Sequence, residues 1–321
     1  VKYGIIKCWI CPSEQSKRRR EGKRGIVHMK ILILGGSGML GKECREFLGR
    51  RHEIIVPSRE NLDIVSWDQV IESLQEISPE VILNCAAFAD VDGCEDNDFA
   101  VRKINVEGPR NLAQGAARFG SKLIHISSDY VFDGQKTLPQ PYFEDDLVRP
   151  LSAYGKSKAE SETAVRENAP DYIILRTGWL YSYNKNNFVK AILSAALGKK
   201  TKVLKVVNDQ FGSPTWTHRV ANQIETLLNH GGKGTYHATA EGFCSRFEWA
   251  EFIVQKLELN VPVEPCKTEA FPRPARRPVN SILENRLLKK QGVHVMKDWK
   301  EDLEEFLDLF GEALIQEASA G

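Results

Sequence analysis

Apolar positions along the chain follow two alternating patterns. Short, nearly continuous apolar runs occur at Lys30-Ile-Leu-Ile-Leu34, Val81–Asn84, Lys122–Ser127 and Tyr172–Thr177. They have the length and composition of strands buried on both faces. Ile54–Val56 reads as a shorter strand of the same kind. Between these runs, apolar residues recur at helical spacing over about Lys42–Leu48, Trp67–Ile77, Ala100–Phe119 and Tyr154–Glu167. Alternation of this kind predicts an α/β fold with a doubly wound parallel sheet. Further along, helices are expected near Arg219–Leu228, Arg246–Leu257, Leu283–Gln291 and Trp299–Phe310. The strand Gly234–Ala238 is expected to rejoin the main sheet. The expected organisation is therefore interleaved: a leader over 1–28, a nucleotide-binding domain over 29–178 with a return strand near 234–238, and a mainly substrate-binding domain over 179–321.

The turn after the first strand makes that sheet a Rossmann-type one. Leu34 is followed by Gly35-Gly36-Ser37-Gly38-Met39-Leu40-Gly41 and then by helix, so Gly35, Gly38 and Gly41 fit G-x-x-G-x-x-G. The first glycine permits the tight turn, the second lets backbone approach a pyrophosphate, and the third lets the helix pack on the strand. Strand, glycine turn and helix in that order are the context that gives the motif meaning. The cofactor-binding candidates are Gly35, Gly38, Met39, Leu40 and Gly41. Cys85, Ala86 and Ala87 join them, because small residues at a strand end leave room for a ribose and nicotinamide. Cys85 is read as a small packing residue. An NAD-binding sheet usually ends its second strand with an acid for the ribose 2′-hydroxyl. Here the chain reads Pro57-Ser58-Arg59. Arg59 suits a 2′-phosphate, so NADPH is the expected cofactor, with NADH left open by the nearby Glu60.

Composition narrows the class. The chain has 321 residues, 42% hydrophobic and 27% charged, as in ordinary globular proteins. A net charge of +1 implies no bulk attraction to nucleic acid or an anionic membrane. No apolar run is long enough to span a bilayer. The run Ile5–Ile10 is too short for a secretory signal and is interrupted by Lys7. Seven scattered cysteines do not form a disulfide framework, which points to a reducing, cytoplasmic setting. Cys8 and Cys11 have metal-ligand spacing but no second pair nearby. The basic run Lys17–Arg20 with Lys23 and Arg24 reads as solvated. Met29 is the expected natural start, with 1–28 as translated upstream sequence; the intact mass of the gene's own product reads this directly. The histidines, at 28, 52, 125, 218, 230, 237 and 294, show no metal-ligand spacing and are assigned no role. No metal ligand is assigned, and whether a metal is bound is left open.

Catalytic chemistry is suggested by Tyr154 and Lys158, one helical turn apart. An ammonium beside a phenol is expected to lower its pKa, making it a usable acid near neutrality. Ser127-Ser128-Asp129 ends the strand upstream, where a hydroxyl can hydrogen-bond a substrate carbonyl. Phe271-Pro-Arg-Pro-Ala-Arg-Arg-Pro278 is extended and carries Arg273, Arg276 and Arg277, whose planar forks suit a diphosphate.

These features, with Asn84-Cys-Ala-Ala-Phe-Ala-Asp-Val-Asp92, Ser127-Ser-Asp-Tyr-Val-Phe-Asp-Gly134, Arg176-Thr-Gly-Trp-Leu-Tyr181, Asp209-Gln-Phe-Gly-Ser-Pro-Thr215 and Arg277-Pro-Val-Asn-Ser281, occur in order. From Met29 almost to its end the chain resembles the extended short-chain dehydrogenase/reductase superfamily, and within it the dTDP-4-dehydrorhamnose reductase family. The resemblance implies reduction of the 4-keto group of a nucleotide-linked 6-deoxyhexulose to dTDP-L-rhamnose, with hydride to C4 and Tyr154 protonating O4. It implies that Lys158 holds the nicotinamide ribose, Ser128 orients the keto oxygen and Asn105 completes a proton relay. Asp63 and Ile64 match an adenine-flanking pair, and Asp129, Trp179 and Arg277 are matched to substrate. A homodimer is allowed by the resemblance. Two alternatives share the fold. A dehydratase needs an acidic pair after the active-site Ser/Thr, but Tyr130 follows Asp129; an epimerase would retain tightly bound NAD. A regulatory subunit like that of methionine adenosyltransferase would bind without catalysis.

Overall fold

The computed structural model describes residues 28–198 and 202–320. The Cys8/Cys11 pair, the basic run and nearly all of the expected leader lie outside the described residues. Six parallel strands form the main sheet: β1 (Lys30–Leu34), β2 (Glu53–Ile55), β3 (Val81–Asn84), β4 (Lys122–Ser128), β5 (Tyr172–Thr177) and β6 (Gly234–His237). Their spatial order is β2-β1-β3-β4-β5-β6. The order reverses at β1, so a crevice opens where the ends of β1 and β3 diverge from their helices. Leu34 at the end of β1 is in register with Asn84 of β3, and Ser128 of β4 with Thr177 of β5. These strand ends place the candidate residues on one edge of the sheet.

Helices cover both faces. On one side α1 (Met39–Leu48) lies among Ile31, Ile33, Leu83, Ile124 and Leu175. On the other, α2 (Trp67–Ile77) and α3 (Gly108–Phe119) pack on Leu32, Ile82, Leu123 and Ile174. Ser66 caps α2 by accepting from the Gln69 N–H, so the helix starts where its sequence signal does. The helix expected over Ala100–Phe119 is instead broken. Lys103–Glu107 widens into a π-helical turn, and α3 begins after it. Pro109 has no N–H to donate to the carbonyl one turn earlier, which accounts for the loosened ladder.

The second hydrophobic cluster gathers α5 (Phe188–Leu197), α7 (Arg246–Lys256) and α8 (Trp299–Ala320) around Tyr181, Trp216, Trp249 and Phe306. Between them α6 (Thr217–Asn229) returns to the sheet beside α1, burying Val220, Ile224 and Leu227 in the first cluster. The helix expected over Leu283–Gln291 is confined to Arg286–Lys290. Tyr142 takes the preceding residues into an extended bridge, with Tyr142 N–H to Ile282 O at 2.8 Å and Glu284 N–H to Tyr142 O at 2.9 Å. A long-range pairing overrides the local helical signal there.

Candidate active site

A cleft of about 570 Å³ lies at the crevice, lined by Gly35–Gly38, Val56–Arg59, Asp63, Ile64, Cys85–Ala87 and Ile104. Gly35 has φ of +73°, and a Cβ there would lie 2.6 Å from the Ala86 backbone nitrogen. Only glycine allows this left-handed turn and lets the loop rest on the end of β3. Met39, Leu40 and Gly41 form the first turn of α1; Leu40 and Gly41 are buried. None of these three expected cofactor residues is among those that line the cleft. Arg59 sits on the rim, 74% exposed, with Nε 3.5 Å from Asp63. Arg45 also lines the cleft. No motif marks it in the sequence; its only signal is its place one helical turn after Gly41.

The catalytic candidates meet at the ends of β4 and α4 (Ala153–Asn168). Ser152 caps α4 through the Gly155 N–H. A Cβ on Gly155 would fall 2.2 Å from the Tyr130 carbonyl oxygen, so the first turn of α4 can sit directly on the turn after β4. That contact brings Tyr154 beside Ser128, close enough for the hydroxyl to act on the pKa of the phenol. The Tyr154 and Tyr130 rings meet edge to face at 5.8 Å. Ser128 Oγ donates to Asp129 Oδ1 at 2.7 Å and accepts from the Tyr130 N–H at 3.2 Å.

The electrostatics correct one expectation. Tyr154 is pushed above the ordinary tyrosine range, first by burial and then by the Asp129 carboxylate, with Ser128 opposing only in part. Lys158 is not among the main influences on this phenol, whose net shift is upward. Instead Lys158 is buried, and burial lowers its own pKa to about 8 against the raising influence of Glu162 and Cys85.

His125, given no role from sequence, lies beneath that lysine. Asn84 Oδ1 accepts from the Ala86 N–H at 3.1 Å, which turns the Asn84 amide nitrogen toward His125 Nδ1, also at 3.1 Å. With Nδ1 accepting, the network assigns the proton to Nε2. Nε2–H then donates to Ser161 Oγ at 2.9 Å, and Ser161 donates to the Lys158 carbonyl at 2.7 Å. Lys158 Nζ is 3.3 Å from the same Nε2. Burial and the lysine charge hold His125 far below the usual histidine range, so it is neutral.

Asn105 is 1% exposed and its amide is fully engaged. It accepts from the Phe88 N–H at 2.7 Å and donates to Phe88 O at 3.1 Å and Ser157 Oγ at 2.9 Å. It therefore ties the loop after β3 to α4. Trp179 has φ of +50°, and its Nε1–H donates to Ser281 Oγ at 3.1 Å. Asp129 is buried and its Oδ2 has no hydrogen-bond partner. Burial raises its pKa, against the Ser128 and Ser281 hydroxyls and the Arg246 charge. Arg277 is taken up by Asp92, bidentate at 2.7 and 2.8 Å. That pairing was invisible in the sequence, where both residues appear in separate motifs. Among the described residues no cluster of His, Cys, Asp and Glu could hold a metal ion, and no helix is long and apolar enough to cross a membrane.

Residues 29–311 match the family described as the RmlD substrate binding domain. The chain belongs to the dTDP-4-dehydrorhamnose reductase family. These are NAD(P)H-dependent oxidoreductases that reduce a keto group on a dTDP-linked sugar. The chain is 36% identical over 279 residues to the spore coat polysaccharide biosynthesis protein SpsK of Bacillus subtilis, covering 87% of this chain and 96% of that one. A crystal structure of a dTDP-4-dehydrorhamnose reductase from Clostridium acetobutylicum superposes with a TM-score of 0.84 at 43% identity, covering 88% of this chain and all of the other. That from Bacillus anthracis, solved in complex with NADP, gives 0.83 at 38% identity, covering 88% and 99%.

Proposed function

We propose that this member of the dTDP-4-dehydrorhamnose reductase family reduces the 4-keto group of a dTDP-4-keto-6-deoxyhexulose with NADPH, yielding dTDP-L-rhamnose. The observation that carries the reading is the meeting of Ser128, at the end of β4, with Tyr154, in the first turn of α4, on the same edge of the sheet as the glycine-loop cleft. The cleft fits a dinucleotide, because its floor is a glycine turn that a side chain would fill. When bound, a reduced nicotinamide supplies the hydride that adds to C4.

Tyr154 holds the proton destined for O4, and its raised pKa keeps that proton in place until charge develops on the oxygen. Ser128 must turn its O–H from Asp129 toward the keto oxygen, orienting it and stabilising its negative charge. Lys158 provides positive charge below Tyr154 and donors for a ribose. Asn105 acts by fixing the Phe88 loop against α4. Asp129 and Trp179 contact the sugar side of the substrate, and Arg277, already held by Asp92, completes the wall near it.

Two cations at the cleft, Arg45 and Arg59, support a 2′-phosphate on the cofactor. Arg59→Ala is expected to raise the KM for NADPH about tenfold while leaving that for NADH nearly unchanged, as loss of a charged hydrogen bond at an exposed site would. Steady-state kinetics with both cofactors check this; an equal change in the two would remove Arg59 from 2′-phosphate recognition.

A further inference from the structure

One strongly placed cation is used by nothing described so far. Arg246 is the first residue of α7, whose start is fixed by a Ser245–Glu248 capping box. Its guanidinium carbon lies 3.5 Å from the centroid of the Trp179 ring, with the Phe188 and Trp249 rings at 5.3 and 5.5 Å. Stacking of this kind occupies the flat face of the guanidinium. Its N–H donors point outward in the plane, free for a second partner.

That partner is missing from the chain itself. Among the described residues Arg246 has no carboxylate at ion-pair distance; Tyr130 and Asp129 act on it only through space. Arg277, in contrast, is neutralised bidentately by Asp92. The Arg277 charge acts on Arg246, and Tyr130 acts on both, so the two guanidiniums lie on the same side of Tyr130 as neighbours. One is compensated and the other is not.

The platform beneath Arg246 is itself rigid. Trp179 is held by its Nε1–H bond to Ser281 and by Gly212, where a Cβ would come within 2.5 Å of the indole. It also stacks on the buried Trp249, ring centroids 5.7 Å apart. A partly buried, stacked and unpaired guanidinium is a poor way to stabilise a fold, since its desolvation is uncompensated. It is a good way to receive a diphosphate, whose two negative charges supply the missing countercharge and whose oxygens accept two parallel N–H bonds.

We propose that Arg246, presented on the Trp179 ring, binds the diphosphate of the nucleotide-sugar substrate. This rests on the reading that the substrate is a dTDP-linked sugar, and it assigns the diphosphate chiefly to Arg246 rather than to the already paired Arg277. The test is calorimetric titration of dTDP into the full-length protein and its Arg246→Met and Arg246→Lys variants, with NADPH titrated in parallel. Arg246→Met is expected to weaken dTDP binding about 10- to 100-fold, the effect of losing a charged bidentate contact. Arg246→Lys should regain part of that loss, because it restores the charge without the fork. NADPH affinity should be unchanged in both, which also reports that the variants are folded.

Wild-type affinity for dTDP in Arg246→Met would overturn the proposal. So would equal weakening in both variants, which would trace the loss to disturbed packing on Trp179 rather than to charge. If the wild-type protein binds NADPH but not dTDP, the reading of the substrate falls as well, and the two failures are thereby told apart.

Discussion

Replacing Tyr154 by Phe is expected to lower kcat by a factor of about 10² to 10⁴, the usual contribution of a positioned proton donor. NADPH affinity should persist, because the ring and its edge contact with Tyr130 are retained and only the hydroxyl is lost. Stopped-flow binding and steady-state rates separate the two; near-wild-type turnover in Tyr154→Phe would remove the residue from proton transfer. The pH dependence carries a second mark of the same site. Tyr154 is pushed up rather than down, so the donor is fully protonated across the neutral range. Lys158, lowered to about 8 by burial, is the group that changes charge there. Its cation is present below that pH and lost above it. The profile of kcat/KM, which reports groups of the free enzyme, should therefore fall as pH rises through about 8. Other groups face Lys158: Glu162 from its own helix, Cys85 from the end of β3 and neutral His125 from β4.

Arg176→Met is expected to cost about 3 to 5 kcal/mol of stability, since it leaves the Glu162 carboxylate buried without its main partner. Arg176 is 3% exposed and Glu162 fully buried. They join through Nε to Oε1 at 2.8 Å and Nη2 to Oε2 at 2.7 Å, with Ser127 Oγ donating to Oε1 at 2.6 Å. Arg166, at 3.2 Å but partly exposed, is a weaker second partner that places the expectation toward the lower end of that range. Burial alone would raise the Glu162 pKa; the hydrogen bonds and charge of Arg176 outweigh it, and the net shift is downward. A depressed carboxylate contributes stability that is present above its unfolded pKa and lost as pH falls through the folded one. Urea unfolding of wild type and variant at neutral pH and near pH 4 reads both effects. The difference between them should shrink at the lower pH, and a variant as stable as wild type would show that the pair is dispensable.

The parts of the fold that could be read from sequence are those whose signal is local. The strands Lys30–Leu34, Val81–Asn84 and Tyr172–Thr177 are apolar throughout because both faces of the sheet are covered. Trp67–Ile77 carries its own cap in Ser66. The glycine loop is legible because the turn permits few other residues. Elements that depend on distant partners were misread. Leu283 looks helical until Tyr142 claims its backbone, and the run into Phe119 looks continuous until the ladder loosens ahead of Pro109.

The site divides in the same way. Tyr154 and Ser128 stand out by motif, but the charge state of their surroundings does not. Lys158 reads in sequence as the cation that makes Tyr154 more acidic, whereas the fold buries it against a histidine from β4, and burial with the Asp129 charge pushes the phenol up instead. Arg277 appears free in a proline-rich loop, yet Asp92, 185 residues away, engages it. Arg246 carries no motif at all. Its meaning comes from the indole it rests on, which belongs to a different strand end.

Incubation of the purified protein with dTDP-4-dehydrorhamnose and NADPH, followed at the absorbance of the reduced nicotinamide, is the decisive measurement. Stoichiometric loss of NADPH with formation of dTDP-L-rhamnose is the predicted result. A protein that binds NADPH and dTDP yet leaves the reduced cofactor unconsumed would contradict the proposed reaction.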